Sequence, residues 1–592
     1  MFKWFRKTEK VGKVVAELKV ATLREGDLNT SPALRESEDL LKLGNSHLEN
    51  GRLGLAAESY QRALALNPKN VKACTNLGYI FEKQGIPGEA LTYYRKAVGL
   101  DPNQITAHQN LGFLLMGLGQ SEEAGVILSR LLELAPEHPG ALNCLGVIAA
   151  QRGDFPRAES LLRRALVAQP DFVEAYNNLG NLFKHIKRHP EAEVAYRRTL
   201  VLKPDFAEAN NNLGALLIEN NRLAEAEVFF HKAIELQPNY VEAHNNLGNL
   251  LKQTKRMIEA EASYRCAIKF NPLYADAYFN LSLLLLSLGR YAEAWPLFEY
   301  RFDPGIGISR GALPNLPCPQ WRGELLVGKT LVIWPEQGLG DYIQFVRYAQ
   351  LLRESGVSRL TLVCIPPLKA LLETVAGVDA VIADFDSIPP HDYWTYPLSL
   401  PLRFGTAVDN IPSAVPYLQA LPARVARWRD HLPVGKLYVG LVWKGNADHK
   451  NDANRSLPGL STLAPLWSVQ GVTFISLQKG AGEAEAKYPP GNQPIVALGS
   501  EIADLADTAA IVALLDFVIC VDTSIAHLAG ALGKPCWVLL PSIDTDWRWL
   551  GERGDSPWYP TMRLFRQEGT GDWGKTVERV REALAVLAHT GT

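Results

Sequence analysis

The first half of the chain repeats one pattern of small, apolar and proline positions with a step of 34 residues. Leu-Gly pairs keep this step in seven copies, and an eighth copy reads Leu281-Ser282. An alanine follows each pair twelve residues after its Gly or Ser, and a proline marks the end of seven units: Pro68, Pro102, Pro136, Pro170, Pro204, Pro238 and Pro272. Small residues let two helices approach closely, leucines fill the space between units, and proline ends a helix. The pattern predicts eight stacked helix pairs over residues 37–308.

After residue 302 the pattern changes to short apolar runs that alternate with helical segments, which is typical of parallel α/β units. The predicted strands are 330–334, 360–364, 380–382, 438–443, 472–477, 517–521 and 536–540. A Gly- and Pro-rich linker at 309–329 separates them from the repeats. The sequence therefore predicts a lead-in at 1–36, a helical solenoid, and two Rossmann-like lobes at 330–434 and 435–592, the second ending in a helix.

Composition narrows the classes of function. Of 592 residues, 61 are Lys or Arg and 63 are Asp or Glu, a net charge of -2 that disfavours a nucleic-acid partner. No apolar run reaches the roughly 18 residues of a transmembrane helix. The seven cysteines are dispersed without a C-x-x-C pair, which favours reduced thiols and a cytoplasmic location. Aromatic and basic residues at 1–13 leave contact with a membrane surface open.

Six of the eight units place an asparagine just before the periodic leucine: Asn76, Asn110, Asn178, Asn212, Asn246 and Asn280. Asparagine is a poor helix former, so its recurrence indicates a use. An amide donates and accepts hydrogen bonds at once, and a row of amides on a polar helix face would hold an extended polypeptide. The alternative is that the asparagines cap helices or bond between neighbouring repeats.

The first distinctive loop of the α/β region follows the predicted strand 330–334. Gly338 and Gly340 permit a tight turn, and Asp341 would lie at the mouth of the next helix. Ile343 takes the place of the last glycine of a G-x-G-x-x-G fingerprint, which disfavours a nicotinamide dinucleotide enzyme. Asp341 would otherwise serve as a helix N-cap.

The second loop follows the predicted strand 438–443. It brings Lys444, Lys450 and Arg455 together, and cations at a strand end suit a phosphate group. A solvated charged loop is the alternative.

The third loop contains Asp522, Thr523, Ser524 and His527 between a strand and a helix. Hydroxyl groups and free backbone N–H groups at a helix start form an anion site. His527 would otherwise be a hydrogen-bonded histidine of the core.

Two D-x-D strings raise the question of a metal ion. They are Asp384-Phe385-Asp386 and Asp544-Thr545-Asp546, and neither has a supporting set of histidines or carboxylates. We therefore expect no metal site. The adjacent segment 547–549, Trp-Arg-Trp, could line the cleft, where aromatic rings stack on a sugar or a base, or its side chains could equally well pack in the protein core.

The 34-residue spacing resembles the tetratricopeptide repeat, and the asparagine row resembles the asparagine-lined groove of eukaryotic protein O-GlcNAc transferase. The G-L-G-D string at 338–341, the segment 522–528 and Gly-Lys-Pro at 533–535 resemble heptosyltransferase-like glycosyltransferases, family nine, with the GT-B fold. Bacterial proteins that fuse such repeats to such a domain share further segments with this chain. These are 319–331, 336–341, 556–560 and 563–567.

The resemblance implies roles for several of these residues. Asp341 corresponds to the proposed catalytic base, and Lys444 with the helix start at 523–527 corresponds to the donor diphosphate site. We place Gly338, Gly340, Arg455 and Asp522 in that donor site as well. The sequence departs from lipopolysaccharide heptosyltransferases at 443–445 and in the basic loop 448–455, so the identity of the donor does not carry over.

Together these features predict a glycosyltransferase that needs no metal or cofactor and that inverts the sugar configuration. It would move a sugar from a nucleotide-diphosphate donor to a protein held in the repeat groove, and the resemblance suggests flagellin as one acceptor. One alternative uses the repeats for assembly and glycosylates a lipid-linked or surface glycan. Another is a non-catalytic protein-interaction module. A homo-oligomer is left open.

Overall fold

The computed structural model describes residues 32–306, 314–336, 338–435, 437–489, 494–569 and 571–590. The chain forms two compact units, Met1–Leu247 and Gly248–Thr592. Within the described ranges, no helix combines the length and the apolar character that crossing a bilayer requires. The aromatic and basic segment 1–13 and part of the predicted linker lie outside the described residues.

The first unit is a series of antiparallel helix pairs, which confirms the predicted solenoid. The bounds are α1 Pro32–Glu49, α2 Leu53–Leu66, α3 Val71–Lys83, α4 Pro87–Leu100, α5 Ile105–Gly117, α6 Ser121–Leu134, α7 Pro139–Gln151, α8 Phe155–Ala168, α9 Val173–His185, α10 His189–Leu202, α11 Ala207–Glu219, α12 Leu223–Leu236 and α13 Val241–Gln253. The last of these, α13, ends in the second unit. From α1 to α12, consecutive helices pack against each other, most extensively within each pair.

Close helix contact explains why each repeat needs its small residues. A Cβ atom on Gly78 would lie 2.7 Å from the ring of Tyr94, and one on Gly180 would lie 2.7 Å from the ring of Tyr196. The periodic alanines, such as Ala192, are fully buried at the same contacts. A larger side chain at these glycines would separate the two helices of a pair.

The second unit begins with the last repeats and continues into a first lobe built on a parallel sheet of four strands in the order β3-β2-β1-β4. The repeat helices are α14 Met257–Phe270, α15 Ala275–Ser287 and α16 Tyr291–Phe298. The elements of the first lobe are β1 Thr330–Ile333, α17 Leu339–Phe345, α18 Ala349–Glu354, β2 Arg359–Val363, α19 Lys369–Leu372, β3 Ala380–Ile382, β4 Tyr393–Thr395 and α20 Leu400–Arg403.

The second lobe is built on a parallel sheet of six strands in the order β10-β9-β8-β5-β6-β7. Its elements are α21 Pro422–Arg429, β5 Leu437–Val442, α22 Asp452–Arg455, β6 Val472–Ser476, α23 Glu483–Lys487, β7 Ile495–Ala497, α24 Leu505–Leu514, β8 Phe517–Val521, α25 Ser524–Ala531, β9 Cys536–Leu540, β10 Met562–Arg566 and α26 Gly574–Thr590. Short 3₁₀ helices occur at Glu299–Phe302, Val346–Tyr348, Pro366–Leu368, Pro397–Ser399, Leu460–Ser468, Gly499–Glu501 and Trp547–Trp549. The predicted α/β fold with two parallel sheets is thus confirmed.

Helix α21 packs on the second lobe, although its sequence lies inside the predicted first lobe, 330–434. Arg424 Nη1 lies 2.5 Å from a carboxylate oxygen of Asp504 and 2.9 Å from one of Asp507. The Trp428 indole N–H also donates to Asp507, at 3.2 Å. Asp507 is buried, so the cations and donors of α21 compensate its charge and hold the helix against α24.

The last repeat pair shares a core with both lobes. The Trp295 indole on α16 donates to the Thr406 carbonyl oxygen in the first lobe, at 2.9 Å. Trp558 of the second lobe donates to the Tyr291 hydroxyl on α16, also at 2.9 Å. The ring of Trp547 lies 5.5 Å from Trp295 and 6.1 Å from Tyr291. This aromatic cluster makes the end of the repeats part of the α/β core.

Candidate active site

The candidate site lies where the ends of strands β1 and β8 face each other. Helix α17, which follows β1, packs against helix α25, which follows β8. At the contact, a Cβ atom on Gly340 would lie 2.6 Å from Cδ2 of His527. The crevice beyond the carboxyl ends of parallel strands is the usual ligand position in such sheets. Gly340 therefore permits the close approach of the two lobes at this edge of the sheets.

Asp341 lies in the first turn of α17 and contacts both lobes. The Gly338 backbone N–H donates to its carboxylate at 2.9 Å. Gly338 is the N-cap residue and Asp341 is the third residue of the helix, so Asp341 is not the N-cap that the sequence left as an alternative. The same carboxylate pairs with Arg548 of the second lobe. Burial raises the pKa of Asp341, and the positive charge of Arg548 opposes that rise. A carboxylate with a raised pKa is a stronger base than an exposed one.

Arg548 is the residue that joins the two sides of the crevice. Its guanidinium donates to both carboxylate oxygens of Asp546 at 3.0 Å and to the side-chain oxygen of Gln344 on α17 at 2.5 Å. It also lies 4.4 Å from the centre of the Trp547 ring. The sequence did not distinguish Arg548 from its aromatic neighbours, although the string of acidic and aromatic residues around it is the signal that could have done so.

Asp522 and Thr523 lie at the end of β8. Burial, together with the charge of Asp546, raises the pKa of Asp522 to about 7, and Arg455 opposes this rise. Thr523 is the N-cap residue of α25, yet its hydroxyl makes no capping bond. The hydroxyl oxygen is buried and has no hydrogen-bond partner among the described residues. A hydroxyl without a partner can donate a hydrogen bond to an anion, as can the N–H groups at a helix start, including that of Ser524.

His527 is a packed, neutral histidine in this structure. Its Nδ1 lies 2.9 Å from the Tyr559 hydroxyl, and its ring stacks on Trp549 with the centroids 5.6 Å apart. Burial lowers the pKa of His527 to about 3, so the ring carries no charge near neutral pH. This arrangement corresponds to the core histidine that the sequence left as an alternative to an anion ligand.

Lys444 and Arg455 occupy different surroundings. Lys444 follows β5, where the Gln478 side-chain oxygen accepts its backbone N–H at 3.0 Å, and its ammonium lies 3.6 Å from Glu485. Arg455 lies directly against Gly445, where a Cβ atom would be 2.9 Å from a guanidinium nitrogen. Arg455 Nε is buried without a hydrogen-bond partner among the described residues. The same Nε lies 3.5 Å from a carboxylate oxygen of Asp452, so Arg455 has an ion-pair partner even though it makes no hydrogen bond through this atom.

A buried ion pair supports the loop that carries Asp341. Arg301, at the end of the repeats, donates to both carboxylate oxygens of Glu336 at 2.5 and 3.2 Å. It also donates to Glu299 at 2.5 Å and to the Ser399 hydroxyl at 2.9 Å. The side chains of Arg301 and Glu336 are 2% and 4% exposed. The sequence did not single out this pair, because the partners lie on different elements.

The D-x-D strings make other contacts than those of a metal site. The carboxylate of Asp546 accepts hydrogen bonds from the guanidinium of Arg548. The carboxylate of Asp384 accepts one from the backbone N–H of Asp386, at 3.2 Å, in an exposed turn. Across the described part of the chain, no three or more His, Cys, Asp or Glu side chains form a group that could hold a metal ion.

The asparagine row of the first unit forms hydrogen bonds between neighbouring repeats. Asn178 donates to Asn143 at 2.9 Å, and Asn246 donates to Asn211 at 2.9 Å. Asn212 donates to the oxygens of Asn177 and Asn181, and Asn76 donates to that of Asn45. The inter-repeat bonding that the sequence left open is therefore present. For Asn178 and Asn246 it uses one of the two N–H donors of the amide, whereas the buried amide of Asn212 donates two hydrogen bonds.

The other two asparagines of the row have different neighbours. Asn110 hydrogen-bonds with the Tyr94 hydroxyl in the preceding helix pair. Asn280 lies on α15 in the second unit and is half-buried. In the α/β lobes, the structure packs the helix that carries Gly340 and Asp341 against the helix that carries His527, and Asp522 and Thr523 directly precede that second helix.

Comparisons with known proteins identify the class of the helical part. Profiles described as tetratricopeptide repeat match residues 41–105, 81–143, 145–205, 207–240, 229–262 and 264–295. Residues 41–295 therefore consist of tetratricopeptide repeats, a repeat that stacks into protein-interaction surfaces.

Among individual proteins, the chain is similar to Protein FlbA of Caulobacter vibrioides. The two are 30% identical over 334 residues, which is 51% of this chain and 54% of FlbA. The chain thus spans about half the length of the curated relative it matches. A tetratricopeptide repeat protein of Parabacteroides merdae is 23% identical, with 42% of this chain and 99% of that chain covered and a TM-score of 0.37. YrrB, a repeat protein titled as having an unusual peptide-binding site, is 22% identical with coverages of 32% and 96% and a TM-score of 0.27.

Proposed function

We propose that this protein is a glycosyltransferase that moves a sugar from a nucleotide-diphosphate donor to a hydroxyl group of a protein. One observation carries the proposal. The carboxylate of Asp341, 17% exposed, and the Thr523 hydroxyl, which has no hydrogen-bond partner among the described residues, lie at the starts of two helices, α17 and α25, that pack against each other. A base and an anion site at facing strand ends are the two groups that such a transfer needs.

In the proposed reaction, Asp341 takes the proton of the acceptor hydroxyl as its oxygen attacks the anomeric carbon of the sugar. The bond from that carbon to the donor phosphate breaks on the opposite face, so the configuration inverts. The nucleoside diphosphate leaves with the bonding electrons. The Thr523 hydroxyl, the N–H groups of α25 and the Arg455 guanidinium would stabilise its negative charge. His527 takes no proton in this scheme, because it is neutral and bonded to Tyr559.

The repeats would bind the acceptor protein, and flagellin remains one candidate for it. Amide groups of the asparagine row that are not used between repeats would bond to the peptide backbone. All seven cysteines are free, as expected in a reducing compartment, so the proposal includes a cytoplasmic location. The non-catalytic alternative has one observation in its favour, which is that Arg548 already pairs with Asp341.

Binding of nucleotides to the purified chain tests the donor half of the proposal. The melting temperature would be measured with UDP, GDP, ADP and the corresponding nucleotide sugars, since a ligand of the folded state raises it. We expect one nucleoside diphosphate to raise the melting temperature of the wild type. Thr523→Val should weaken that shift, whereas Thr576→Val should not. Thr576 is a matched control because its hydroxyl is also buried without a partner but lies on α26.

Release of the nucleoside diphosphate tests the catalytic half. Asp341→Asn should bind the same nucleotide as the wild type but lose release of the diphosphate from the nucleotide sugar. Full release by Asp341→Asn would show that another group is the base. If none of the nucleotides or nucleotide sugars shifts the melting temperature, the transferase proposal is wrong and the interaction module is favoured.

A further inference from the structure

Arg548 neutralises carboxylates that come from both lobes. Its guanidinium pairs with Asp546, two residues away in the second lobe, and with Asp341, which is 207 residues away in the first lobe. The side chain of Arg548 is 7% exposed and that of Asp341 is 17% exposed. The pair with Asp341 is therefore largely withdrawn from water, and there a guanidinium has a large effect on the charge of its partner.

The orientation of this guanidinium is determined by contacts on three sides. The side-chain oxygen of Gln344 on α17 accepts its Nε–H at 2.5 Å, and its Nη1 donates to the two carboxylate oxygens of Asp546, each at 3.0 Å. The Trp547 ring lies 4.4 Å away, and that ring packs in turn on Trp295 of the last repeat pair. The planar fork is thus held so that its remaining end meets Asp341.

No other cation of the described residues pairs directly with Asp341. The groups that face this carboxyl from the surrounding elements are Arg548 and Asp546 of the second lobe, Glu336 of its own loop, His449 of the loop after β5, and neutral His527 of α25. Glu336 is already paired with Arg301. Without Arg548, Asp341 would be a buried carboxylate beside other carboxylates.

We propose that Arg548 is a positioning residue for Asp341, so that the second lobe supplies the cation that makes the first lobe's carboxylate a competent base. This inference rests on the proposed function, because it takes Asp341 as the base. It goes further by assigning a role to a residue outside the donor and acceptor sites. It also makes the catalytic group depend on contact between the two lobes.

The pH dependence of thermal stability tests this coupling without any activity assay. In Arg548→Ala, the folded pKa of Asp341 should rise further above its unfolded value. A carboxyl with a raised folded pKa loses its contribution to stability as the pH rises through that pKa. The melting temperature of Arg548→Ala should therefore fall further below that of the wild type at about pH 8 than at about pH 5.

A second substitution attributes the effect to Asp341. The double variant Arg548→Ala with Asp341→Asn is compared with Asp341→Asn alone. The difference between their melting temperatures should depend less on pH, because the amide does not ionise. Arg553→Ala is the matched control, since Arg553 forms an exposed pair with Asp555 at 2.6 Å in the same lobe. The inference would be overturned if the loss of melting temperature caused by Arg548→Ala did not change with pH, or if its pH dependence were the same with Asp341→Asn present.

The variant Arg548→Lys tests whether the positive charge at this position is sufficient. Arg548→Lys keeps the cation, so its melting temperature should follow the pH dependence of the wild type even if Arg548→Ala does not fold. Where release of the nucleoside diphosphate is measurable, the acidic limb of kcat/KM should shift to higher pH in Arg548→Ala and stay in place in Arg548→Lys. The coupling in the stability data without any nucleotide turnover would refute the proposed function alone. Turnover with an unshifted acidic limb would refute the role of Arg548.

Discussion

A Cβ atom added to Gly340 would lie 2.6 Å from Cδ2 of His527, so the glycine loop of the first lobe is in direct contact with α25 of the second. The His527 ring cannot move aside easily, because it bonds to the Tyr559 hydroxyl and stacks on Trp549. Glycine at position 340 is therefore required by the contact between the lobes. Its place in a phosphate-binding loop is a separate prediction that this contact does not test.

Gly340→Ala should destabilise the second unit by about 1–3 kcal/mol, because the added methyl group overpacks the contact with His527. The free energy of unfolding would be measured by denaturant titration. Gly338→Ala is the control, since a Cβ atom there would meet only Asp341 Oδ2, at 3.4 Å. Equal stability of the two variants would show that the lobes adjust their contact freely.

The raised pKa of Asp522, about 7, predicts a pH-dependent stability. Because the folded pKa lies above the unfolded value, the stabilisation from this carboxyl is complete at low pH and is lost as the pH rises through about 7. Asp522→Asn should therefore flatten the fall of the melting temperature between about pH 5 and about pH 8. Asp384→Asn, at an exposed turn, should leave the curve unchanged. Identical curves for Asp522→Asn and the wild type would contradict the assigned environment.

The asparagine row should contribute to the stability of the repeats and also to binding of a protein acceptor. Ala at Asn178, Asn212 and Asn246 removes inter-repeat bonds that each contribute about 0.5–1.5 kcal/mol net. Circular dichroism during denaturation would measure this loss. Asn50→Ala is a control, because Asn50 follows α1 directly and bonds back to that helix, to the Ser46 carbonyl oxygen at 2.7 Å.

The same triple variant separates the two roles of the asparagines. If they also hold the acceptor, transfer to protein should require a higher acceptor concentration while slow hydrolysis of the donor is unchanged. An equal loss of transfer and hydrolysis would indicate that the asparagines act only between repeats.

Substitution of one partner of the Arg301–Glu336 pair should strongly lower the stability of the second unit. Arg301→Met leaves the buried Glu336 without its cation and should cost about 3–5 kcal/mol. Adding Glu336→Gln should recover part of that loss, because the uncompensated charge is removed. Calorimetric melting of the two variants would measure the difference. A double variant no more stable than Arg301→Met would show that the charge of Glu336 is not the cause.

Much of the fold could be predicted because its signals are local. The periodic glycines and alanines predict where helices touch, and Gly180 indeed contacts Tyr196. Strand β1 begins at Thr330, as its apolar run predicts. The candidate loops could also be predicted, since each follows a strand. The state of individual side chains could not. His527 and Lys444 were expected at the donor phosphate, but His527 bonds to Tyr559 and the Lys444 ammonium lies near Glu485.

The sequence by itself determined the repeat period, seven of the ten strands of the described residues, and the loops that follow β1, β5 and β8, whereas β4, β7 and β10 were not predicted. These features depend on residues within a few turns or one repeat of each other, so periodicity reveals them. Only the tertiary structure decided the partners of Asp341 and Glu336. Those partners, Arg548 and Arg301, lie 207 and 35 residues away in the sequence. No periodic pattern relates residues at such separations, and only the packing of distant segments brings these charges together away from water.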